Sequence, residues 1–241
     1  MMHLLISMNI TRINYYIILI NILFVNITFS QNWLYNNYNS TTLNNFRNDK
    51  LFKETINFDN IDYPRLNAAI FFVTNEARVK NNLPPALFNK SLEDAATAHS
   101  KRMVRMNFFD HIDLFNNVLK TPNDRYKFAG ISNPYAAENI ATPFAIKYEE
   151  GIVIYPLDSG NNYFSYSPRG TPIPNHTYLS LSEEVVDMWM NSEDHRKNIL
   201  NKDALQLGCG TYFYRERGNN IPKFMATQDF QLYEKIIPID K

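Results

Sequence analysis

The sequence has a single cysteine, Cys209, and this scarcity limits how the protein can be held together. One cysteine cannot form an intramolecular disulfide or supply a cysteine-based zinc cluster. Its context, Leu-Gly-Cys-Gly, is apolar, so we expect Cys209 to be a small buried side chain. The fold must then depend on the packing of its core, with or without a bound metal.

Net charge is also absent, because 24 Lys and Arg residues balance 24 Asp and Glu residues. A neutral chain has no overall attraction to nucleic acid or to an anionic membrane, so neither is an expected partner. Glycine is scarce at 7 residues, and no phosphate-binding glycine motif, Gly-x-Ser-x-Gly elbow or His-Glu-x-x-His helix occurs. What is present, 45% hydrophobic and 20% charged residues, is typical of a globular protein with one large domain or two small ones.

The first 30 residues have the pattern of a secretory signal peptide. A short, weakly basic start containing Arg12 precedes an apolar run over 13–29, and the small residue Ser30 follows at a plausible cleavage point. We therefore expect a secreted or extracytoplasmic protein with no membrane span after cleavage. The alternative is an uncleaved N-terminal anchor, since the run reaches about the minimum length for a span, although three asparagines interrupt it.

The remainder divides into an Asn-rich lead-in or tether over 31–63, a domain over 64–235 and a short tail over 236–241. The lead-in shows no sustained helical or strand period. We identify no internal repeat.

Periodicity and turn residues predict the main elements of the domain. Apolar residues spaced three and four apart predict a helix over 66–83, which Pro84 ends. Capping boxes that start at Ser91 and at Ser180 predict helices to about Met106 and Met190, and Ser192 can cap a further short helix. The core face of the helix that starts at Ser180 should hold Val185, Met188 and Trp189. Two strands, 205–214 and 223–233, form a hairpin, so we expect an α+β domain with a mainly antiparallel sheet.

Short motifs rich in His, Glu and Asn follow one another along this domain. They are Ala98-His-Ser-Lys-Arg-Met103, Asn107-Phe-Phe-Asp-His111, Ala137-Glu-Asn-Ile-Ala141, Glu183-Glu-Val-Val-Asp-Met-Trp189, Ser192-Glu-Asp-His-Arg-Lys-Asn-Ile-Leu200, Leu207-Gly-Cys-Gly210 and Ala226-Thr-Gln-Asp-Phe230. In this order they resemble the CAP superfamily (cysteine-rich secretory proteins, antigen 5, pathogenesis-related 1) in its bacterial SCP-domain form. The resemblance covers about 64–235 and implies a three-layer α-β-α sandwich with an open cleft.

The resemblance also implies a cleft tetrad of two His and two Glu: His111, Glu138, Glu184 and His195. Glu183 is the rival to Glu184, because a shift of one residue would exchange them. Two features depart from the family: the disulfides of eukaryotic members are missing, and a long insertion lies at about 142–180.

The chemistry of such a tetrad follows from its residue types. His111 and His195 are candidate ligands for zinc or another divalent metal, and Glu138 or Glu184 could join them, fix a ring tautomer or act as a base. Bound metal should be released at low pH, since protons compete for the imidazoles. The alternatives are a polar cleft without activity, a structural role for Glu138, and a first-turn helix role for Glu184. We expect His99 to be a buried, hydrogen-bonded core residue.

These observations favour a secreted binding or interaction module for a lipid, a peptide or a cell-surface component, with enzymatic activity left open and not favoured. The alternative is a zinc-dependent hydrolase of the peptidase type, and a structural envelope protein is a third hypothesis. Aromatic residues in the insertion either border the cleft and select a ligand or belong to an added hairpin that packs elsewhere. These aromatics are Tyr148, Tyr155, Tyr163, Phe164, Tyr166 and Tyr178.

Overall fold

The computed structural model describes residues 33–157 and 163–239, so the predicted signal peptide lies outside the described residues. Helices alternate with short strands before a long C-terminal hairpin. The helices are α1 (Asn37–Ser40), a 3₁₀ turn (Phe46–Asn48), α2 (Lys50–Lys53), α3 (Tyr63–Lys80), α4 (Lys90–Met106), α5 (Pro122–Phe128), α6 (Tyr178–Asn191) and α7 (Glu193–Ile199). The strands are β1 (Leu87–Phe88), β2 (Ala136–Ala141), β3 (Tyr155–Pro156), β4 (Phe164–Ser165), β5 (Ala204–Arg215) and β6 (Pro222–Leu232).

A four-stranded sheet in the order β1-β5-β6-β2 forms the centre of the domain. The hairpin β5-β6 is antiparallel, as the sequence predicts, and β2 pairs antiparallel with β6 so that Glu138 lies opposite Asp229. Only the two-residue β1 runs parallel to its neighbour. Strand β2 is therefore an edge strand of the main sheet.

Successive residues of β5 face opposite sides of the sheet, and helices pack on both sides. Added Cβ atoms on Gly208 and Gly210 would lie 2.1 and 2.0 Å from backbone nitrogens of α4, so these glycines permit that helix to pack directly on the sheet. Thr211, whose side chain points to the opposite face, donates from its hydroxyl to Asn67 of α3 at 2.9 Å. With α3 packed on α6, the result is the expected mainly antiparallel α-β-α sandwich.

The two predicted capping boxes are placed wrongly by a few residues. Helix α4 begins after Asn89, whose side chain accepts from the backbone N–H of Ser91 at 2.9 Å. Helix α6 begins after Thr177, which forms a reciprocal capping box with Ser180 in place of one between Ser180 and Glu183. Local hydroxyl and amide groups upstream of each predicted box already satisfy the free N–H groups of the first turn.

The lead-in is part of the core, which corrects the expectation of a tether. Trp33, Phe46, Phe52 and Ile56 are all almost completely buried. The rings of Trp33 and Phe52 are 4.9 Å apart between centroids. Isolated aromatic anchors separated by turns have no period, so the sequence pattern does not reveal them.

The predicted tail also packs against the domain over its described part. The backbone N–H of Ile239 donates to the Gly130 carbonyl, and that of Ile237 donates to the Asn133 side chain, each at 2.9 Å. Within 33–157 and 163–239, no helix is both long enough and apolar enough to cross a bilayer.

Candidate functional site

A cleft of about 480 Å³ opens beside the edge strand β2. His111, from the loop after α4, and His195, from α7, both line it. Its other walls are mostly apolar. They are formed by Phe109, Ile140, Ala141, Met188 and Trp189, with Asp110, Thr142 and Ser192 at the margins. The expected core face of α6 is therefore correct for Trp189, which is buried, but wrong for Met188, which is 42% exposed in the cleft.

Asparagines attach α7 to β2 and so position His195. The side chain of Asn139 donates to the His195 carbonyl at 3.1 Å, and Asn198 donates to the Asn139 side chain at 2.8 Å. Arg196 donates to the Met190 carbonyl at 2.7 Å, which fixes the turn between α6 and α7. The His-Arg-x-Asn motif is thus a structural clamp around one cleft histidine.

Glu138 is the electrostatic centre beneath the cleft. It is almost fully buried, with one carboxylate oxygen 2.7 Å from His111 Nδ1 and the other 2.5 Å from the Arg125 guanidinium. Burial opposes ionisation, but the hydrogen bond with His111 and the charge of Arg125 outweigh it and lower the pKa of Glu138. In return, the hydrogen bond to Glu138 raises the pKa of His111. Both carboxylate oxygens of Glu138 are therefore engaged.

Arg125 is a member of this cluster that the sequence analysis missed. It lies in α5, and besides its bond to Glu138 it donates to the His111 carbonyl at 3.1 Å. The signal available in the sequence was the capping box of Thr121 and Asp124, with Pro122 directly after the cap, which marks the start of the helix. That pattern predicts α5 but does not show which residue its arginine meets.

A second carboxyl group, Asp229, lies opposite Glu138 on β6 and is fully buried. Neither of its oxygens makes a well-formed hydrogen bond with any residue that the structure describes. Burial and the nearby charge of Glu138 raise the pKa of Asp229 well above its usual value. Of the two carboxyl groups, Glu138 is therefore the one that ionises first as the pH rises.

His99 behaves as expected of a core residue. It is fully buried, and its Nε2 lies 3.0 Å from the Asp110 carbonyl. Burial lowers the pKa of His99 to about 4, so its ring is neutral at ordinary pH. Its Nε2 is 3.9 Å from Glu138, which makes it a neighbour of the cluster.

The structure brings His111 and His195 to the cleft and places Glu138 against His111, outside the residues that line the cleft, but it places Glu184 elsewhere. Glu184 lies on α6 with a carboxylate oxygen 3.0 Å from Nε2 of His176, and it does not line the cleft. His176 is buried, and its Nδ1 lies 3.0 Å from the Ser180 hydroxyl. Glu183 is not an alternative either, because it pairs with Arg47 at 2.5 Å.

His195 differs electrostatically from His111. Burial, and then the nearby His111, lower the pKa of His195. His111 is therefore the more basic of the two imidazoles that line the cleft.

The donors present do not fit a zinc site with three or more protein ligands. Glu138 is committed to His111 and Arg125, Glu184 to His176, and His111 keeps only Nε2 available. Within the described ranges, no group of three or more His, Cys, Asp or Glu side chains is arranged to hold a metal ion. Two imidazoles alone fall short of the ligand number that zinc takes in either structural or catalytic sites.

Apart from Thr142 at its start, the described residues of the insertion lie outside the cleft lining. Its short strands β3 and β4 pair with each other, and Ile146, Phe164 and Ile173 form a separate small core. Among the aromatic residues proposed to border the cleft, none of those that the structure describes lines it. The alternative of an added hairpin packed elsewhere is therefore the correct one for these residues.

Comparisons with known proteins give the class to which this fold belongs. The model of the cysteine-rich secretory protein family, CAP, matches residues 71–230, more than half of the chain. The chain therefore belongs to the CAP family.

Individual relatives are similar over the same region. The uncharacterised protein YkwD of Bacillus subtilis is 33% identical over 147 residues, which cover 61% of this chain and 41% of YkwD. An extracellular SCP-domain protein from Bacillus anthracis is 25% identical with a TM-score of 0.47, covering 71% of this chain and 42% of that one. An outer surface protein of Borrelia burgdorferi is 16% identical with a TM-score of 0.42, covering 68% of this chain and 91% of that one. The chain spans less than half the length of YkwD.

Proposed function

We propose that this CAP domain is an extracytoplasmic binding module whose cleft holds an apolar group of a lipid, a peptide or a cell-surface component between His111 and His195. The observation that carries the proposal is the cleft itself: about 480 Å³, with mostly apolar walls and two convergent imidazoles. Ligand sites commonly have this size and this mixture of apolar surface with a few polar groups. The apolar run over 13–29 supports an extracytoplasmic location.

The state of the carboxylates supports binding over hydrolysis. A general base needs an oxygen free to accept a proton within hydrogen-bonding distance of the reacting group. Both oxygens of Glu138 already have partners, and Glu184 pairs with His176 outside the cleft lining. The carboxylates therefore give no support to the zinc-dependent alternative.

The fluorescent probe 1-anilinonaphthalene-8-sulfonate can test the cleft, because its apolar rings carry an anionic group. We expect Met188→Asp to weaken probe binding by at least about tenfold, since it places a charge in an apolar wall. Met106→Asp is the matched control: Met106 is equally exposed, at 43%, but does not line the cleft. Equal binding by both variants would contradict the proposal, as would peptide or ester hydrolysis that Glu138→Gln abolishes while the fold is retained.

A further inference from the structure

The backbone of β2 presents a free edge to the cleft. The carbonyl of Tyr135 accepts from Leu232 N at 2.9 Å, and that of Pro143 accepts from Phe224 N at 3.0 Å, so odd-numbered residues here bond to β6. In an antiparallel pair, successive residues direct their N–H and C=O groups to opposite sides of the strand. The even-numbered residues of β2 and of the segment that follows it therefore direct their backbone N–H and C=O groups away from β6.

Two of these even-numbered residues, Ile140 and Thr142, line the cleft and have free backbone groups within the described part of the chain. Glu138 is different, because its carbonyl accepts a hydrogen bond from the Asn198 side chain at 3.3 Å. Ile140 and Thr142 both line the cleft, and their backbone groups form no bond outside the β2–β6 ladder with any residue that the structure describes. An unpaired edge of this kind is a template for another strand.

The walls of the cleft match the two faces of an added strand. The Ile140 side chain lies on the α4 side of the sheet, with Met103 and Met225, whereas its neighbour Ala141 belongs to the core on the α6 side. Side chains of an added strand would alternate between the same two faces. One face would meet Phe109 and the other Met188, both of which are substantially exposed.

We propose that the cleft binds an extended peptide segment of a partner protein, which joins β2 as a further strand through the N–H and C=O groups of Ile140 and Thr142. This inference rests on the proposed binding function and names its ligand class. A peptide fits better than an acyl chain for a physical reason. Covering these backbone groups with hydrocarbon would leave them without hydrogen-bond partners, which is unfavourable, whereas a peptide strand supplies complementary groups.

Only a short stretch of the β2 edge is available to an added strand. Asn198 already caps the edge at Glu138, and Thr142 is followed by a proline. The paired stretch therefore contains two outward residues of this chain, Ile140 and Thr142. We expect specificity to come from one or two apolar side chains seated against Phe109 and Met188.

Selection of random heptapeptides displayed on phage, against the full chain, tests the proposal. Thr142→Pro is the informative variant, because it removes an edge N–H that makes no bond to β6, and proline is tolerated on edge strands. Thr142→Ala is its matched control and keeps the N–H. We expect synthetic copies of selected peptides to bind Thr142→Pro roughly 2- to 10-fold more weakly than Thr142→Ala, the equivalent of one hydrogen bond.

A second measurement leaves the protein unchanged. Methylating the peptide nitrogen that pairs with this edge should abolish binding, and methylating the next nitrogen should not. Bound peptide should also slow amide hydrogen exchange at Ile140 and Thr142 while leaving Ala141, whose amide already faces β6, unaffected.

The outcomes separate the two proposals. If no peptide distinguishes Thr142→Pro from Thr142→Ala, or if N-methylation has no effect, the strand-addition inference is overturned. Binding of oleate in the cleft without any such peptide would also overturn it but would leave the proposed binding function standing. If neither peptides nor oleate perturb the NMR signals of Met188 and His195, the proposed function itself fails.

Discussion

Replacement of Asp229 by asparagine tests the buried charge arrangement beneath the cleft. The structure places Asp229, whose pKa burial raises, opposite Glu138, whose pKa is lowered by its bonds to Arg125 and His111. Asparagine has nearly the same shape and, like a protonated carboxyl group, carries no charge. We therefore expect Asp229→Asn to fold normally.

The expected effect is a change in how stability depends on pH. The folded-state pKa of Asp229 is raised above the unfolded value of about 3.9. Its contribution to stability is therefore fully present below about pH 3.9 and is lost as the pH rises toward the folded pKa. Between the unfolded and the folded pKa, each rise of one pH unit should lower the free energy of unfolding of the wild type by about 1.4 kcal/mol relative to Asp229→Asn, because one proton is released on unfolding.

Urea unfolding at pH 5, 6 and 7 would measure this difference through the buried Trp33 and Trp189. Titrating groups distant from Asp229 are common to both proteins, so their contributions to the difference cancel. Asp187→Asn is the matched control, since Asp187 is exposed, and we expect it to stay within about 0.5 kcal/mol of wild type. A difference between wild type and Asp229→Asn that does not change with pH would refute the reasoning, because Asp229 would then be ionised in the fold.

Three further predictions concern packing and the cleft histidine. Gly210→Ala should destabilise the fold by at least about 1–3 kcal/mol in thermal unfolding, because its Cβ would lie 2.0 Å from the α4 backbone, and an unchanged midpoint would contradict that packing. In urea unfolding, Trp33→Ala should lower the free energy of unfolding by about 3–5 kcal/mol, whereas Leu34→Ala, at an exposed position, should hardly change it. Equal effects of the two substitutions would favour the interpretation of this segment as a tether. The pKa of His111 is raised, so the stability from its bond to Glu138 is present below about pH 6.5 and lost as pH rises through the folded pKa. An NMR titration should place the midpoint of His111 above that of free histidine and lower it in Glu138→Gln, and a midpoint at or below the free value would contradict this.

Much of the fold could be predicted because its signals are local. Helix α3 and the hairpin β5-β6 have apolar periods that extend over ten or more residues, and the order of short motifs was sufficient to indicate the family. The buried character of His99 and Cys209 also followed from their neighbours in the chain and is confirmed. Met188 was assigned to the core because it follows the same helical period, although it faces the cleft.

The site was only partly predictable, because charges pair across distances that the sequence does not encode. His111, Glu138 and His195 carry motifs that make them candidates, whereas Arg125 and Asp229, which lie in the same cluster, have no motif of their own and were missed. Glu184 was assigned to the tetrad by its position before Trp189, yet a buried histidine from the insertion lies within 3.0 Å and engages it.

The sequence by itself determined which segments form long amphipathic elements, that no intramolecular disulfide is available, and which histidines and glutamates are candidates for the cleft. Only the tertiary structure decided that both oxygens of Glu138 are occupied, that the aromatic lead-in fills the core, and that Ile140 and Thr142 face the cleft with unpaired backbone groups. The physical reason is that periodicity reports on one element at a time. Partner choice for a charge, an isolated aromatic ring or an edge hydrogen bond depends on which elements meet in space.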